Sequence, residues 1–345
     1  MRKQLTFLAL IISAFSYGQT GGIHAFPFLD LTYNARSAAL GRYYLTVEDD
    51  DVNLGVNNPA LLNKEMHNTI GFNQALLAAG INHGMVAYAN HLERWDVTGS
   101  AHIRYVAYGE MERTDVNGEV IGTFSAGDFI VGAGVGKKLN PRINIGANFN
   151  IIGSQLESFS SYGVSIDMAG SYLSEDELTA LALLVRNAGY QLTTYTTSDR
   201  APLPANAMFS ASHDLEHAPF RLGVVVHHLN KWDLTYTDPN AEPTTDPLTG
   251  ELVPVPTAGF AEKLARHFIF QAEMNVGNSV RLRAAFDYQR RREFLVPNRP
   301  GMAGFSFGVG LNFKRFSLDY GLLIFSNAGY NNLISLTTNL DKWRK

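Results

Sequence analysis

The sequence predicts an all-β protein, a transmembrane antiparallel β-barrel of about 14 strands with an N-terminal hatch, or plug, segment. Three observations predict it. The first is alternation. Over 304–313, Phe305, Phe307, Val309, Leu311 and Phe313 take the odd positions and Ser306, Gly308, Gly310 and Asn312 the even ones. After Arg315 the phase resets, and Phe316, Leu318, Tyr320, Leu322 and Ile324 share one face. A period of two puts each set on one side of a strand. The second is an export signal on a chain with no other apolar stretch long enough for a membrane helix. The third is a sorting of loop lengths by strand parity.

Composition agrees. A chain of 345 residues, 46% of them hydrophobic, is ample for one large domain. A net charge of −4 supplies no basic field, so no nucleic-acid partner is expected. There is no cysteine, which excludes a disulfide framework, a thiolate nucleophile and a thiolate metal site.

Residues 1–18 read as a signal peptide. Arg2 and Lys3 form its basic region, 5–15 its apolar region, and Ser16 and Gly18 the small residues before cleavage at Gln19. The apolar run falls short of the roughly 20 residues a membrane anchor needs.

Residues 19–66 lack the alternation of the later chain and read as a compact cap rather than barrel wall, a hatch expected to pack inside or under the barrel at its periplasmic side. Short helical turns fit 35–40 and the segment after Pro59, because proline is tolerated in a first helical turn. Pro59 and Ala60 start the last helical turn of the segment, and Asn57 and Asn58 supply caps and turns. The acidic run Asp49-Asp50-Asp51 resembles the start of a calcium loop, but Leu54 stands where glycine is due and Ala60 where a bidentate glutamate is due. A solvated turn or a backbone cap is the better reading.

Residues 67–345 form the barrel. Strand-like segments fall near 68–76, 81–90, 95–108, 126–138, 142–154, 160–173, 178–186, 206–214, 219–229, 265–276, 280–290, 303–313, 315–325 and 329–338. The weakest is 178–186, whose apolar run also fits a short helix. The long gaps, 109–125, 187–205, 230–264 and 291–302, all follow odd strands, and the connections after even strands are short. Outer-membrane barrels have long extracellular loops and short periplasmic turns, whereas a soluble sandwich has no reason to sort its loops in this way.

Charges at lumen-facing positions include His102, Arg104, Glu273, Arg281, Arg283, Asp287, Arg315 and Asp319. They either pair with one another and fill a closed interior or line a polar conduit. The mixture of signs favours pairing. His227 and His228 are neighbours on a strand, which points them to opposite faces and prevents a shared metal. His213 and His217 flank a turn with no third ligand. The run 132–136, Gly-Ala-Gly-Val-Gly, lies in a strand and reads as close packing rather than a phosphate cradle. Arg290, Arg291 and Arg292, at the outer end of a strand, are a solvated run or a site for lipopolysaccharide phosphates or an acidic partner. No zinc-protease helix, nucleophile elbow or Walker loop is present, so no catalytic, cofactor or metal site is assigned and the chain is not expected to be an enzyme.

The longest gap, 230–264, opens with Lys231, Trp232, Asp233 and Tyr236 and continues with closely spaced prolines. Aromatics beside charges are typical of interface anchors, and they also sit at membrane boundaries. These four residues form the candidate partner-binding loop, acting with 109–125 and 187–205.

Beyond the residue patterns, the N-terminal stretch around Phe26 to Leu31, Ala35-Arg36-Ser37-Ala38-Ala39-Leu40-Gly41 and Asn57-Asn58-Pro59-Ala60-Leu61-Leu62 resembles the FadL-like outer-membrane family, whose hatch carries an Asn-Pro-Ala motif. More narrowly, Glu112-Arg113-Thr114-Asp115, Leu215-Glu216-His217-Ala218-Pro219-Phe220-Arg221 and His228-Leu229-Asn230-Lys231-Trp232-Asp233-Leu234 resemble the PorQ family of the type IX secretion system. That resemblance implies an outer-membrane barrel in the cell-surface attachment complex of a Gram-negative bacterium. There, a sortase-like protein, PorU, removes the C-terminal signal of secreted cargo and joins the cargo to lipopolysaccharide, alongside PorV and PorZ. The barrel would hold a surface partner and leave the chemistry to it. A departure is the C-terminus, where Trp343-Arg344-Lys345 follow the last strand instead of an aromatic residue inside it. The FadL-like resemblance alone implies the alternative, a transporter of hydrophobic small molecules. A transporter needs an apolar cavity reaching a lateral gap or a movable hatch, whereas a lumen packed with paired charge argues for the scaffold.

Overall fold

The computed structural model describes residues 24–77, 80–196, 200–236, 243–245, 250, 252–253, 255, 257–295, 301–326 and 329–343, and within them the chain closes into one barrel. The proposed signal peptide and the start of the hatch at 19–23 lie outside the described residues. The strands are β1 (Thr69–Leu76), β2 (Asn82–Leu92), β3 (Val97–Thr114), β4 (Val120–Asn140), β5 (Ile143–Leu156), β6 (Phe159–Leu173) and β7 (Thr179–Gln191). They continue with β8 (Asn206–Asp214), β9 (Phe220–Val226), β10 (Phe268–Val276), β11 (Val280–Asp287), β12 (Phe305–Asn312), β13 (Phe316–Ser326) and β14 (Gly329–Asn339). All fourteen follow sequence order around the ring, each antiparallel to its neighbours, and β1 pairs with β14 from Thr69↔Asn339 to Leu76↔Asn332 to close it.

Alternation decides which side faces in. On β5, Asn144, Asn148 and Asn150 are buried in the lumen, while Ile143, Ile145, Phe149 and Ile151 are exposed on the outside. On β3, Thr98, Ser100, His102, Arg104 and Val106 point in and Ile103 and Tyr105 point out. An apolar belt of this extent is a poor surface in water and a matched one in lipid. No helix among the described residues is long and apolar enough to cross a membrane.

The segment with an ambiguous apolar run is β7, not a helix. Ala182 and Leu184 pack inward and Leu183 faces out, which is strand geometry. The expected loop 109–125 is a correction. β3 and β4 continue past the barrel rim as a tall hairpin paired to Thr114↔Val120, bent by a bulge between Ala107 and Glu110. Both faces of this ribbon are wet, so the amphipathic contrast that marks a strand disappears from its sequence. The short connections after even strands lie together at one end of the barrel, and the long ones after β7, β9 and β11 lie at the other.

Residues 24–66 occupy the lumen. They form helices α1 (Ala35–Ala39) and α2 (Val52–Asn57) and 3-10 turns at Pro27–Asp30, Pro59–Leu61 and Lys64–Met66. Both helices and the Pro59 turn are capped at their starts. Asn34 Oδ1 accepts from Ser37 N–H at 2.7 Å, Asp51 Oδ1 from Asn53 N–H at 3.0 Å, and Asn58 Oδ1 from Ala60 N–H at 3.0 Å. Asp51 is therefore the backbone cap that the acidic run suggested, though it is buried rather than solvated. Ala25 N–H donates to Pro202 O at 2.9 Å in the β7–β8 connection, and the chain enters β1 at the short-turn end. The hatch thus packs inside the barrel, as one of the two expected placements had it, and reaches beyond the short-turn end through the length of the lumen.

Two pairs of register-matched glycines make room for it. Gly136 and Gly146 face each other across β4 and β5, and a Cβ on either would overlap the Pro59 backbone. Gly308 and Gly321 face each other across β12 and β13, where a Cβ would overlap Ala39 and the Ala35 carbonyl respectively. Only glycine lets the hatch approach the wall this closely.

Candidate functional site

The site has two parts, the filled lumen and the long-loop end. In the lumen, Glu273 on β10 is the hub. It accepts from Arg283 Nε at 2.7 Å and from the Tyr44 hydroxyl at 3.0 Å, and Arg36 Nε and Arg221 Nη1 lie at 3.7 and 3.9 Å. Strand register builds the wall half of this cluster, since Glu273 is opposite Arg283 on β11 and Arg221 on β9. Gly310 leaves space for Arg283 to reach Asp319 as well. The hatch supplies Arg36, which binds Asp49 at 2.6 Å, and Asp49 in turn lies 3.6 Å from Arg281. Glu273, Arg36 and Arg283 are almost fully buried, and buried charges persist only when paired and hydrogen-bonded.

The structure brings Glu273, Arg281 and Arg283 together and leaves Asp287 and Arg104 elsewhere. Asp287 ends β11, caps helix α4 (Tyr288–Phe294) by accepting from Arg290 N–H at 3.1 Å, and lies 3.6 Å from Arg42. Arg104 donates to Asn150 Oδ1 at 3.2 Å and lies over the Tyr33 ring, 5.5 Å from its centre. Among the described residues no carboxylate is within ion-pair distance of Arg104. Arg315 is not in the lumen at all. It sits in the β13 entry turn and stacks on Trp343 at 5.0 Å. Arg36, Asp49, Tyr44 and Arg221 were not foreseen as lumen charges. Arg36, Tyr44 and Asp49 belong to the hatch, which has no period-two pattern that could have placed them there and shows only the Asp49–Asp51 run as a signal, whereas Arg221 is on β9, where alternation against Phe220 and Leu222 already gives it the inner face.

In the hatch motif, Asn58 caps the turn and donates to Leu45 O at 2.7 Å, whereas Asn57 donates to Ser37 Oγ at 2.7 Å and so braces α2 against α1. Pro59 and Ala60 press into the Gly136–Gly146 window. Nearer the long-loop end, Phe26, Phe28 and Leu29 fill the lumen against Val106, Ile130, Ile152 and Leu203. A cavity of about 160 Å³ opens at the short-turn end. It is lined by Glu48, Asn144, Arg142, Asp214 and Arg221, among others, and is polar rather than apolar.

At the long-loop end, Trp232 stacks on His267 at 5.9 Å and packs on Phe260 at 5.2 Å. Phe260 begins helix α3 (Phe260–Ala265), whose Lys263 holds Asp233 at 2.6 Å. Burial pushes the Asp233 carboxyl up, but hydrogen bonds from Lys263 and Thr235 outweigh it and hold the group at about 2. Glu262 joins Arg266 and Arg292, each at 2.9 Å, tying α3 to α4. The start of the loop is therefore folded and clamped. Lys231 N–H donates to His228 O at 2.9 Å, and Tyr236 is largely exposed. Most of 237–256, including nearly all its prolines, lies outside the described residues.

Two expectations need correction here. β9 ends at Val226, and His228 has φ 53°, so the chain turns and the His227 and His228 Nδ1 atoms meet at 2.7 Å instead of facing apart. The Arg290 to Arg292 run is helical. Arg290 is buried over the Phe325 ring at 3.9 Å, Arg291 donates to Gly301 O and Arg292 binds Glu262, so the run is part of a helix and not a solvated loop. Among the described residues no group of three histidines or carboxylates is placed to hold a metal ion.

No protein-family profile matches the sequence, and no curated protein is significantly similar to it. Among solved structures, the barrel is similar to the toluene transporter TbuX of Ralstonia pickettii, at 10% identity over 90% of this chain and 99% of that chain, with a TM-score of 0.53. It is also similar to the toluene transporter TodX of Pseudomonas putida, at 12% identity over 90% and 99% of the two chains, with a TM-score of 0.54. At these identities the likeness is one of fold alone.

Proposed function

We propose that this chain is an outer-membrane scaffold of a type IX secretion attachment complex, exported by its signal peptide. It would hold an extracellular partner of the sortase-like PorU, PorV and PorZ set beside lipopolysaccharide. The observation that carries this reading is the lumen. It is filled by a hatch whose arginine is locked into the Glu273 cluster, so the protein's available surface is its long-loop end. The tall β3–β4 hairpin, the β7–β8 connection and the clamped Trp232 segment stand there together. The resemblance of sequence runs across the mature chain to the PorQ family supports the same role.

A second reading is a transporter of hydrophobic small molecules. The fold shared with toluene transporters favours it, as does the apolar patch of Phe26, Phe28 and Leu29 in the lumen.

Deleting 238–256 separates the two. The scaffold reading expects intact barrel assembly, read as heat-modifiable migration, with loss of the surface proteins that co-purify from native membranes. Retention of those proteins with cargo still processed and anchored would place the docking surface elsewhere. Toluene uptake by intact cells that falls with the deletion would favour transport.

A further inference from the structure

The β3–β4 hairpin rises alone above the rim. β3 loses β2 after Ala107↔Asn82, and β4 gains β5 only at Ala126↔Leu156, yet β3 and β4 stay paired out to Thr114↔Val120. The free ribbon is about 20 Å tall at roughly 3.3 Å per residue. An isolated two-stranded ribbon is marginal in water, and natural proteins blunt free edges with charge, proline or a covering element.

The two edges differ. The free stretch of β3 carries Glu110, Glu112 and Arg113, the usual blunting. The free stretch of β4 reads Val120, Ile121, Gly122, Thr123, Phe124, Ser125, with neither charge nor proline and with Val120 and Ile121 exposed. Glu157 N–H donates to Ser125 O, so Ser125 addresses the β5 side. Backbone groups alternate sides along a strand, so Thr123 addresses the same side, where no strand pairs with it among the described residues, and a second bulge at Ile121, between Arg113↔Gly122 and Thr114↔Val120, ends the regular alternation. The faces differ too. Arg113 binds Glu157 on one. Glu110 and Glu112, opposite Ser125 and Thr123, lie on the other with no ion partner among the described residues.

We infer that the free edge of β4 over 120–125 is a strand-addition site for an extended segment of an extracellular protein. That segment carries lysine or arginine on the face it shares with Glu110 and Glu112. Only an extended chain satisfies an edge of alternating donors and acceptors, and side chains on one face supply specificity. The unpaired glutamates, two strands away, are within reach of long basic side chains. This inference rests on the scaffold reading and names how the partner is held.

The test uses full-length protein and the surface proteins that co-purify with it from native membranes. Thr123→Pro removes one outward N–H and leaves the β3 ladder intact, whereas Thr123→Val keeps the edge. The expected result is about tenfold weaker capture for Thr123→Pro, wild-type capture for Thr123→Val, and heat modifiability unchanged in both. Glu110→Gln combined with Glu112→Gln should weaken capture and flatten its salt dependence. Amide exchange over 120–125 should slow when the partner is bound. Undiminished capture by Thr123→Pro with unchanged exchange overturns strand addition and leaves the scaffold reading standing. Absence of any co-purifying surface protein from wild type overturns both. An Ile121→Cys variant that forms a disulfide-linked dimer of this chain, at an edge closed without the partner, makes a second copy the occupant and also overturns it.

Discussion

Glu273→Ala is expected to unseat the hatch while leaving the barrel wall closed. The substitution removes the one carboxylate shared by Arg36, Arg221 and Arg283 and leaves each with a single carboxylate side, Asp49 and Asp51 for Arg36, Asp214 for Arg221 and Asp319 for Arg283. Removing one partner of a buried pair costs about 3–5 kcal/mol where the remaining charge is left uncompensated, and the carboxylates that remain here put the loss at the lower end of that range. The wall does not depend on this cluster, since the ladders on both sides of β10 are backbone-paired. Limited proteolysis of the purified protein should therefore gain cuts within 24–66 while heat-modifiable migration persists. Adding Arg283→Met together with Asp319→Asn should recover part of the loss by removing the remaining buried pair whole. If Glu273→Ala resists protease as well as wild type does, the cluster is not what seats the hatch.

Gly146→Leu is the second large effect. Its Cβ would lie on the Pro59 backbone, which cannot rotate away as a side chain tip can. Overpacking of a well-filled site costs about 1–3 kcal/mol, and a backbone clash belongs at the upper end. Gly321→Val at the second window, against the Ala35 carbonyl, should act in the same way. Gly170→Ala is the control. It lies on the adjacent strand β6, where a Cβ would meet only ordinary contact. The readout is again protease access to 24–66, together with a fall in the thermal midpoint of hatch release. Equal behaviour of Gly146→Leu and Gly170→Ala would mean that the glycine pair is not a seat.

The barrel was legible because its strands lie between two unlike environments. On β5 the contrast between Asn144, Asn148 and Asn150 and their isoleucine and phenylalanine neighbours survives from Ile143 to Ile151, so alternation and face assignment follow directly. The tall hairpin was not legible for the opposite reason. Above the rim both its faces meet water, and Glu110, Glu112 and Thr123 look like loop residues. Helix α4 was hidden because Asp287 serves both as the last strand residue and as the helix cap, so the arginine run reads as a continuation of the strand. The lumen was half legible. Period two placed Glu273, Arg281 and Arg283 on the inner face, but their partners Arg36 and Asp49 come from a segment without a repeating pattern. Asp287 and Arg104 fall outside the cluster because a shared inward direction does not make two charges neighbours.

The central claim is that the hatch seals the lumen, so that the protein acts through its outer surface. Steady ion conductance of the purified full-length chain in a planar lipid bilayer tests this most directly. A sealed lumen predicts no resolved conductance steps for wild type and the appearance of steps once Glu273→Ala releases the hatch. Regular, reproducible steps from wild type, unchanged by Glu273→Ala, would contradict it.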